Sequence, residues 1–285
     1  MVAKDHAKTL PCLCPGLSQD VAAQVVLRGH VARFAAELAR LTQPSPPPDA
    51  THLTRVALRR LRAALEALAP RTDPHLHAKI TRRLHRLFAG LGVVRDAEVL
   101  AEHSAHLGRL QDLAVRKDKA LRKGLKSSDA AHLTKDLDTL FAGKSWRHAA
   151  KSARASRKDP IEPLAAQALD HAWTRALKQG PSVLALAPMG RHSLRKRLKS
   201  LRYIAEDFAP LWPDAGSGPF LARLRALQDD LGVLNDLDLA AAEGLGGNPD
   251  LAQAALSRAQ DLWGSLYAQS PWWGAARALP PPMGA

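Results

Sequence analysis

The sequence predicts an all-α protein, and three observations support this. Of its 285 residues, 46% are hydrophobic but only 5% are aromatic. The chain is rich in Ala, Leu and Arg, which favour helices, whereas strands favour aromatic and β-branched residues. Its leucines recur at helical spacing, as at Leu58, Leu61 and Leu65. A chain of this length can bury one large core or two small ones.

A first helix is predicted to begin after Ser18 and to run to about Leu41. Ser18, with Asp20 two residues later, offers side-chain oxygens that can cap the free N–H groups of a helix start. The segment from Gln43 to Asp49 contains four prolines and cannot be helical, because proline fixes φ and lacks a backbone donor. The remaining helices are predicted over 50–69, 74–89, 93–124, 129–141, 161–178, 189–209, 219–231, 233–243 and 249–268.

The two ends of the chain fall outside this helical pattern. Residues 1–17 are predicted to form a flexible leader, and residues 269–285 a flexible tail, since the tail is rich in Pro and Gly. The helical domain between them, 18–268, is expected to comprise a first half at about 18–142 and a second half at about 160–268.

The chain repeats itself at a shift of 140 positions, without a gap. Residue types that do not readily coincide by chance keep this register over the repeat. The matched pairs include His52 with His192, Arg55 with Arg195, Arg62 with Arg202, Glu66 with Glu206, Gly92 with Gly232 and Asp96 with Asp236. The repeat indicates a duplicated helical unit, and we expect the two copies to pack with pseudo-twofold symmetry.

The net charge narrows the classes of partner. The chain has 41 Lys and Arg against 27 Asp and Glu, a formal net charge of +14, and its isoelectric point is about 10.3. Repulsion among so many positive charges destabilises a compact chain unless the charges face water or an opposite charge. The candidate partners are therefore a nucleic acid, an acidic membrane surface or a free polyanion.

One face of each copy is basic. From His52 the basic side chains follow at offsets of 3, 7 and 10 residues, which places them within roughly 80° of arc on a helix. Leu58 and Leu61 fall on the opposite side and should form the core face. Because like charges at this spacing repel one another, two such stripes in register favour a shared anionic ligand over a merely solvated face. The residues predicted to bind it are, in the first half, His52, Arg55, Arg59, Arg62, Lys79, Arg82, Arg83 and Arg86, and in the second half, His192, Arg195, Lys196, Lys199, Arg202 and Arg223.

Arginine dominates these stripes, and this choice favours phosphate. A guanidinium group stays charged and can grip two phosphate oxygens at once, so successive arginines could follow a chain of phosphates. Affinity built from many such contacts should fall steeply with salt. His52 and His192 head the two stripes, and either a ligand role as hydrogen-bond donors or a structural role is consistent with the sequence.

Gly92 and Gly232 each follow a leucine-rich helix, four residues before Asp96 and Asp236. A single glycine with no Lys-Ser/Thr after it makes a poor phosphate-binding loop. A helix break is therefore predicted at each glycine, with the aspartate in the first turn of the next helix or paired with an arginine.

No catalytic set, metal site or cofactor is expected, so the protein is not predicted to be an enzyme. The chain has no Walker pattern and no H-E-x-x-H, and a spacing such as that of His75 and His77 arises often among twelve histidines. Cys12 and Cys14 are too few for a zinc site or a disulfide framework. Because no signal peptide and no run of ~18 uncharged apolar residues occurs, we expect a cytosolic protein without membrane association.

Four motifs in order resemble the CHAD family, the conserved-histidine α-helical domain, over about residues 18–268. They are H-x-x-R-V-x-x-R-R-x-R from His52, L-G-x-x-R-D from Leu91, H-x-x-R-x-x-x-K-x-x-R-Y-x-x-E from His192, and L-Q-D-x-L-G-x-x-N-D from Leu227. The resemblance implies two four-helix-bundle-like halves around a basic central channel. It also implies binding of inorganic polyphosphate and location at polyphosphate granules.

The resemblance also implies which residues bind the ligand. The family's basic positions fall here on His52, Arg55, Arg59, Arg62, His192, Arg195, Lys199 and Arg202. Family members are often joined to a triphosphate-cleaving domain with an E-x-E-x-K motif, which this sequence lacks, so hydrolysis is not implied. The proline-rich insert at 43–48 and the Trp-containing tail depart from the family pattern.

Two other functions stay open. Nucleic acid is a possible weaker polyanion partner, although single-strand binding without sequence preference uses aromatic platforms and this chain has only two Tyr and five Phe. A scaffold that docks on a granule surface or a partner protein is the other, through Trp272 and Trp273 or through the basic run at 144–158. The basic run at 116–126 is secondary to the stripes, because it has no partner in the repeat. A tail that folds back onto the bundle is equally consistent with the tryptophan pair. The oligomeric state is not indicated.

Overall fold

The described part of the chain is all-helical, which confirms the predicted fold class. The computed structural model describes residues 13–103, 133, 135–137, 139, 156–212, 216–242 and 248–274. Its long helices are α1 (Gln19–Leu41), α2 (Ala50–Ala67), α3 (Pro74–His103), α4 (Glu162–Leu177), α5 (Pro188–Phe208), α6 (Ser217–Ala242) and α7 (Pro249–Ala268). The described residues between 133 and 139 are helical as well, and no β-strand occurs within these ranges.

The chain divides into two compact units. The first unit contains Ser18–Asp159, and the second contains Leu13–Leu17 together with Pro160–Ala285. Within each unit a helix, a short 3-10 turn and a second helix follow one another in the same order. In the first unit these are α2, the turn Ala69–Arg71 and α3, and in the second they are α5, the turn Ala209–Leu211 and α6. The two turns are 140 residues apart, as the repeat predicts; the pseudo-twofold symmetry and the basic channel stay predictions.

The start of α1 is capped as predicted. The Ser18 hydroxyl accepts a hydrogen bond from the backbone N–H of Val21 at 3.4 Å. Asp20 accepts a hydrogen bond from the Arg71 guanidinium, whose side chain is 2% exposed. The prolines then keep the chain out of helix until α2 begins at Ala50.

The core of the first unit lies between α1, α2 and α3. The predicted core face of α2 is confirmed, since Leu58, Leu61, Leu65 and Leu68 are all buried. The apolar ridge of α3 opposite it, from Ile80 to Leu91, is buried too. The Thr54 hydroxyl donates to the Glu37 carbonyl at 3.1 Å and so ties α2 to α1. With its apolar side fixed in this core, α2 has its basic stripe on the opposite side.

Aromatic side chains build the core of the second unit. Trp173 on α4 meets Phe220 on α6 and Trp263 on α7 edge to face, with ring centroids 5.9 and 5.7 Å apart. The segment before α1 joins this unit, because the Gly16 N–H donates to the Glu162 carboxylate at 2.6 Å and Leu13 is buried. Residues 13–17 of the predicted flexible leader are therefore anchored to this unit by the buried Leu13 and by backbone hydrogen bonds of Gly16 and Leu17, and residues 1–12 lie outside the described residues.

The tail begins with a packed segment as well. Trp273 is fully buried, its indole N–H donates to Asp170 at 3.0 Å, and its ring meets Phe220 edge to face at 5.5 Å. Trp272 lies 5.5 Å from the ring of Trp212. Of the two alternatives for the tryptophan pair, the structure has the one in which the chain folds back onto the bundle. Residues 275–285 lie outside the described part.

The predicted helix breaks at Gly92 and Gly232 are wrong. Helix α3 continues through Gly92 to His103, and α6 continues through Gly232 to Ala242. The described glycines with positive φ are Gly16, Gly180 and Gly216, so neither of these two adopts the left-handed conformation that ends a helix. A glycine weakens a helix but does not stop it when the residues on both sides favour helix.

Some predictions fall on residues that the structure does not describe. They include the basic run at 116–126 and most of the run at 144–158, of which residues 156–158 form a 3-10 turn. Among the described helices, none combines the length and the apolar character needed to cross a membrane. Within the same ranges, no group of three or more His, Cys, Asp or Glu side chains could hold a metal ion.

Candidate anion-binding site

Three arginines of α2 gather around one aromatic ring in the first unit. The guanidinium carbons of Arg55, Arg59 and Arg62 lie 4.9, 5.5 and 5.5 Å from the centroid of the Phe88 ring on α3. All four side chains are half-buried. An aromatic face attracts cations, and the attraction grows as water is excluded. Phe88 thus gathers three like charges that would otherwise repel one another.

Two of these arginines are also fixed by hydrogen bonds to α3. Arg55 donates through NH1 to the Leu91 carbonyl at 2.9 Å. Arg62 donates through NH2 to Nε2 of His85 at 2.9 Å, because a guanidinium group can only donate. Burial lowers the pKa of Arg62, the neighbouring Glu66 carboxylate opposes this, and the positive charge of Arg59 adds to it. An anion bound at this cluster would favour the charged form of Arg62.

The basic residues of α3 divide into two groups. Lys79 Nζ lies 2.8 Å from one carboxylate oxygen of Asp136, and Arg83 NH1 lies 2.6 Å from the other. Asp136 is buried, and its single negative charge offsets part of the two positive charges of Lys79 and Arg83, both of which the sequence assigned to the ligand. Arg82 and Arg86 are exposed. The sequence pattern missed this difference because Asp136 is more than fifty residues away along the chain.

In the second unit the head of the stripe is fixed by an amide. The predicted residues His192, Arg195, Lys199 and Arg202 lie half-buried along α5, and Lys196 is exposed. His192 donates through Nδ1 to the Asn235 side-chain oxygen on α6 at 2.7 Å. Donation from Nε2 to a phosphate oxygen would therefore require the doubly protonated imidazolium.

Arg195, the next residue of this stripe, lies against the backbone of α6. Its Nε is 3.5 Å from the Gln228 carbonyl, a long hydrogen bond. Its NH2 is 3.1 Å from the place that a β-carbon would occupy at Gly232. The guanidinium group of Arg195 thus lies directly against the backbone of α6 at Gly232, which has no side chain to separate them.

The far end of the second stripe carries partial charge compensation. Arg202 lies over the Tyr203 ring at 5.1 Å, and its NH1 is 3.8 Å from the Glu206 carboxylate. Arg225 contacts the same buried carboxylate at 3.1 Å. On the same helix, the predicted ligand residue Arg223 donates to the Gln269 side-chain oxygen at 2.8 Å, a neutral partner that leaves the charge uncompensated by this contact.

The structure also brings to the stripes residues that the sequence did not assign to the site. Phe88 and His85 contact the first stripe, and Asn235, Gln228 and Gly232 contact the second. One signal could have identified Phe88. It is a large aromatic residue outside the buried ridge of α3, which places it toward the basic side of the helix.

These features define an all-α protein with arginine-rich stripes on repeated helices. A model of the CHAD domain family matches residues 25–243 of the chain. The chain belongs to the CHAD family, as the sequence motifs predicted. No curated protein sequence matches the chain.

A solved structure shows the same fold. It is the crystal structure of the CHAD domain from the plant Ricinus communis, which matches with a TM-score of 0.66 and 22% sequence identity. The match covers 95% of this chain and 94% of the plant chain. At this identity the likeness concerns the fold.

Proposed function

We propose that the protein binds inorganic polyphosphate through the basic stripes of α2 and α5, associates with polyphosphate granules and does not hydrolyse its ligand. The observation that carries this proposal is the gathering of Arg55, Arg59 and Arg62 around Phe88. Holding three cations together costs free energy that a bound polyanion recovers, and the charged, partly desolvated donors suit phosphate oxygens. Membership of the CHAD family, which the sequence motifs already linked to polyphosphate, agrees with it.

The length of the stripe favours an extended ligand. At a rise of about 1.5 Å per residue, the backbone positions of Arg55 and Arg62, seven residues apart, are separated by roughly 10 Å along the helix axis. Phe88 draws the three guanidinium groups together, but a single phosphate cannot also contact the other basic residues of the stripe, whereas a chain of phosphates can. We therefore expect affinity to rise with chain length until the stripe is covered.

The setting of Phe88 weighs against base stacking as the mode of binding. Its ring is taken up by three guanidinium groups, and the tryptophans of the second unit lie largely in the core. Proteins that bind single-stranded nucleic acids without sequence preference stack the bases on free aromatic faces. Nucleic acid should therefore bind through its backbone phosphates alone, and more weakly than polyphosphate.

The test is a titration with long-chain polyphosphate at several salt concentrations. A stripe variant carries Gln in place of Arg55, Arg62, Arg195 and Arg202. A control variant carries Gln in place of four exposed basic residues outside the stripes, Arg28, Arg157, Lys158 and Lys178. Both variants lose four positive charges, so net charge alone cannot distinguish them.

The stripe variant should bind polyphosphate about 2–4 kcal/mol less favourably, if each of the four arginine contacts contributes about 0.5–1 kcal/mol to the binding free energy. This corresponds to a loss of affinity of roughly 30- to 1000-fold. Its salt dependence should also become shallower because fewer counterions are released. Equal losses in both variants would show a general attraction for polyanions and contradict the proposal.

Three further measurements complete the test. Polyphosphate should displace single-stranded DNA at equal phosphate concentration, and equal competition would favour a generic polyanion binder. No phosphate should be released from polyphosphate with added Mg²⁺; release that disappears in the stripe variant would show an enzyme. In cells that contain polyphosphate granules, the wild type should locate to the granules and the stripe variant should not.

A further inference from the structure

Gly232 stands where a helix would be more stable with another residue. It lies in the interior of α6, ten residues before its end, and its φ is not positive. The conformational freedom of glycine is therefore not needed here, and glycine is a poorer helix former than alanine. The reason for a glycine at this position must lie in the space around it.

That space is occupied by the guanidinium group of Arg195. A β-carbon at position 232 would lie 3.1 Å from NH2, 3.6 Å from Nε and 3.7 Å from Cζ. The closest of these distances is shorter than ordinary van der Waals contact, so a β-carbon at 232 would require the Arg195 guanidinium group to shift by a few tenths of an ångström. One turn earlier, the Gln228 carbonyl accepts the long hydrogen bond from Arg195 Nε. The Arg195 guanidinium group therefore contacts the α6 backbone at both 228 and 232.

The first unit has a related arrangement at the equivalent positions. Arg55, which matches Arg195 at the shift of 140, donates to the carbonyl of Leu91, the residue directly before Gly92. Gly92 matches Gly232 and also lies inside a continuous helix. In both copies the stripe arginine that follows the histidine rests on the backbone beside the glycine. The recurrence argues for a role in placing this arginine.

We propose that Gly232 is a positioning residue, which leaves room on α6 for the Arg195 guanidinium group and so fixes it for the ligand. This inference rests on the proposed binding of polyphosphate. Gly232 itself contacts no ligand; it acts through Arg195. The helix gives up stability at this position, and the anion-binding stripe gains a fixed cation.

The test compares Gly232→Ala with Gly264→Ala. Gly264 lies inside α7 of the same unit, and nothing surrounds the place of its β-carbon within 4 Å. Gly264→Ala should therefore raise Tm by about 2–4 °C through helix propensity and leave the affinity for polyphosphate unchanged. Gly232→Ala should lower the affinity about three- to tenfold, because the guanidinium group must move. An unchanged affinity for Gly232→Ala would overturn the proposal.

A double-mutant cycle with Arg195→Gln shows whether Gly232 acts through the arginine. In that background Gly232→Ala should have no further effect on affinity, and an equal loss there would overturn the proposal. If Gly232→Ala alone lowers Tm, the shorter Gln should restore it in the double variant. Failure of this restoration would place the clash elsewhere and also overturn the inference.

The Tm values of the two single variants and the double variant are measured without ligand, so they test the contact between Gly232 and Arg195 separately from the proposed binding of polyphosphate. If the wild type does not bind polyphosphate, the proposed function fails, whatever Gly232 does. If the wild type binds and Arg195→Gln weakens binding while Gly232→Ala does not, only the role of Gly232 fails.

Discussion

On α2, three guanidinium groups lie over the ring of Phe88, whereas the equivalent position in the second unit is Gln228, whose carbonyl faces a single arginine. The carboxylates that end the two stripes differ as well. Glu66 is exposed, but Glu206 is buried and contacts Arg202 and Arg225. The repeat has therefore kept the positions of the cations while their anchors have diverged. The stripe on α2 gathers its arginines over one shared ring. The stripe on α5 gives each arginine separate partners, the Gln228 carbonyl for Arg195 and the Tyr203 ring with the Glu206 carboxylate for Arg202.

The difference shows that a stripe of cations can be fixed in two physical ways. An aromatic ring attracts several cations at once without neutralising any of them. Carbonyl and amide partners fix one donor each, with a defined direction. Arginines gathered over one ring suit the dense charge of an extended polyanion, whereas separate anchors suit individual phosphate contacts. We expect the stripe on α2 to supply the larger share of the salt-dependent affinity.

The largest expected effect concerns the core of the second unit, which supports the basic stripe of α5. Trp273→Ala should lower the free energy of unfolding by about 3–5 kcal/mol, because it removes a fully buried ring and leaves Asp170 without its indole donor. Chemical denaturation followed by circular dichroism measures this loss. Tyr267→Ala, at an aromatic ring that is 39% exposed on α7, should cost far less. Equal stability of the Trp273 variant and the wild type would show that the tail is no part of the core.

A smaller effect should separate ligand-facing from structural cations within the first unit. Arg83→Gln removes one of two cations from the buried Asp136 and should cost about 1–3 kcal/mol of stability, with little change in affinity. Arg82→Gln, at an exposed position one residue away, should leave stability within about 0.5 kcal/mol of the wild type and weaken binding about twofold. Thermal unfolding and polyphosphate titration of both variants test this. The opposite pattern would assign Arg83 to the ligand after all.

The smallest expected effect tests the aromatic anchor itself. Phe88→Leu keeps an apolar side chain but removes the ring that gathers the three arginines, so affinity should fall by about 1 kcal/mol, or roughly fivefold. Phe34→Leu makes the same chemical change in the core of the same unit, where Phe34 is 4% exposed. It should cost about 1 kcal/mol of stability and leave affinity unchanged. Unchanged affinity for Phe88→Leu would remove the distinction between the two stripes.

Sequence reasoning succeeded where the signal was local. The cap at Ser18, the end of regular structure at the prolines and the buried face of Leu58 and Leu61 follow from neighbouring residues and the helical period. It failed at Gly92 and Gly232, because glycine often follows the end of a helix but here lies inside a continuous one. The close approach of Arg195 to Gly232 depends on how two helices pack, which the spacing of one helix does not reveal.

By itself the sequence determined the helical class, the register of the repeat and the side of each helix that is basic, because these depend on composition and on a period of 3.6 residues. The tertiary structure alone decided which of those cations are compensated and how the others are fixed. Asp136 reaches Lys79, Trp273 reaches Asp170, and Phe88 lies beneath Arg55 because folding joins residues far apart along the chain. The residue type gives the charge of a side chain, but tertiary packing determines which group it contacts.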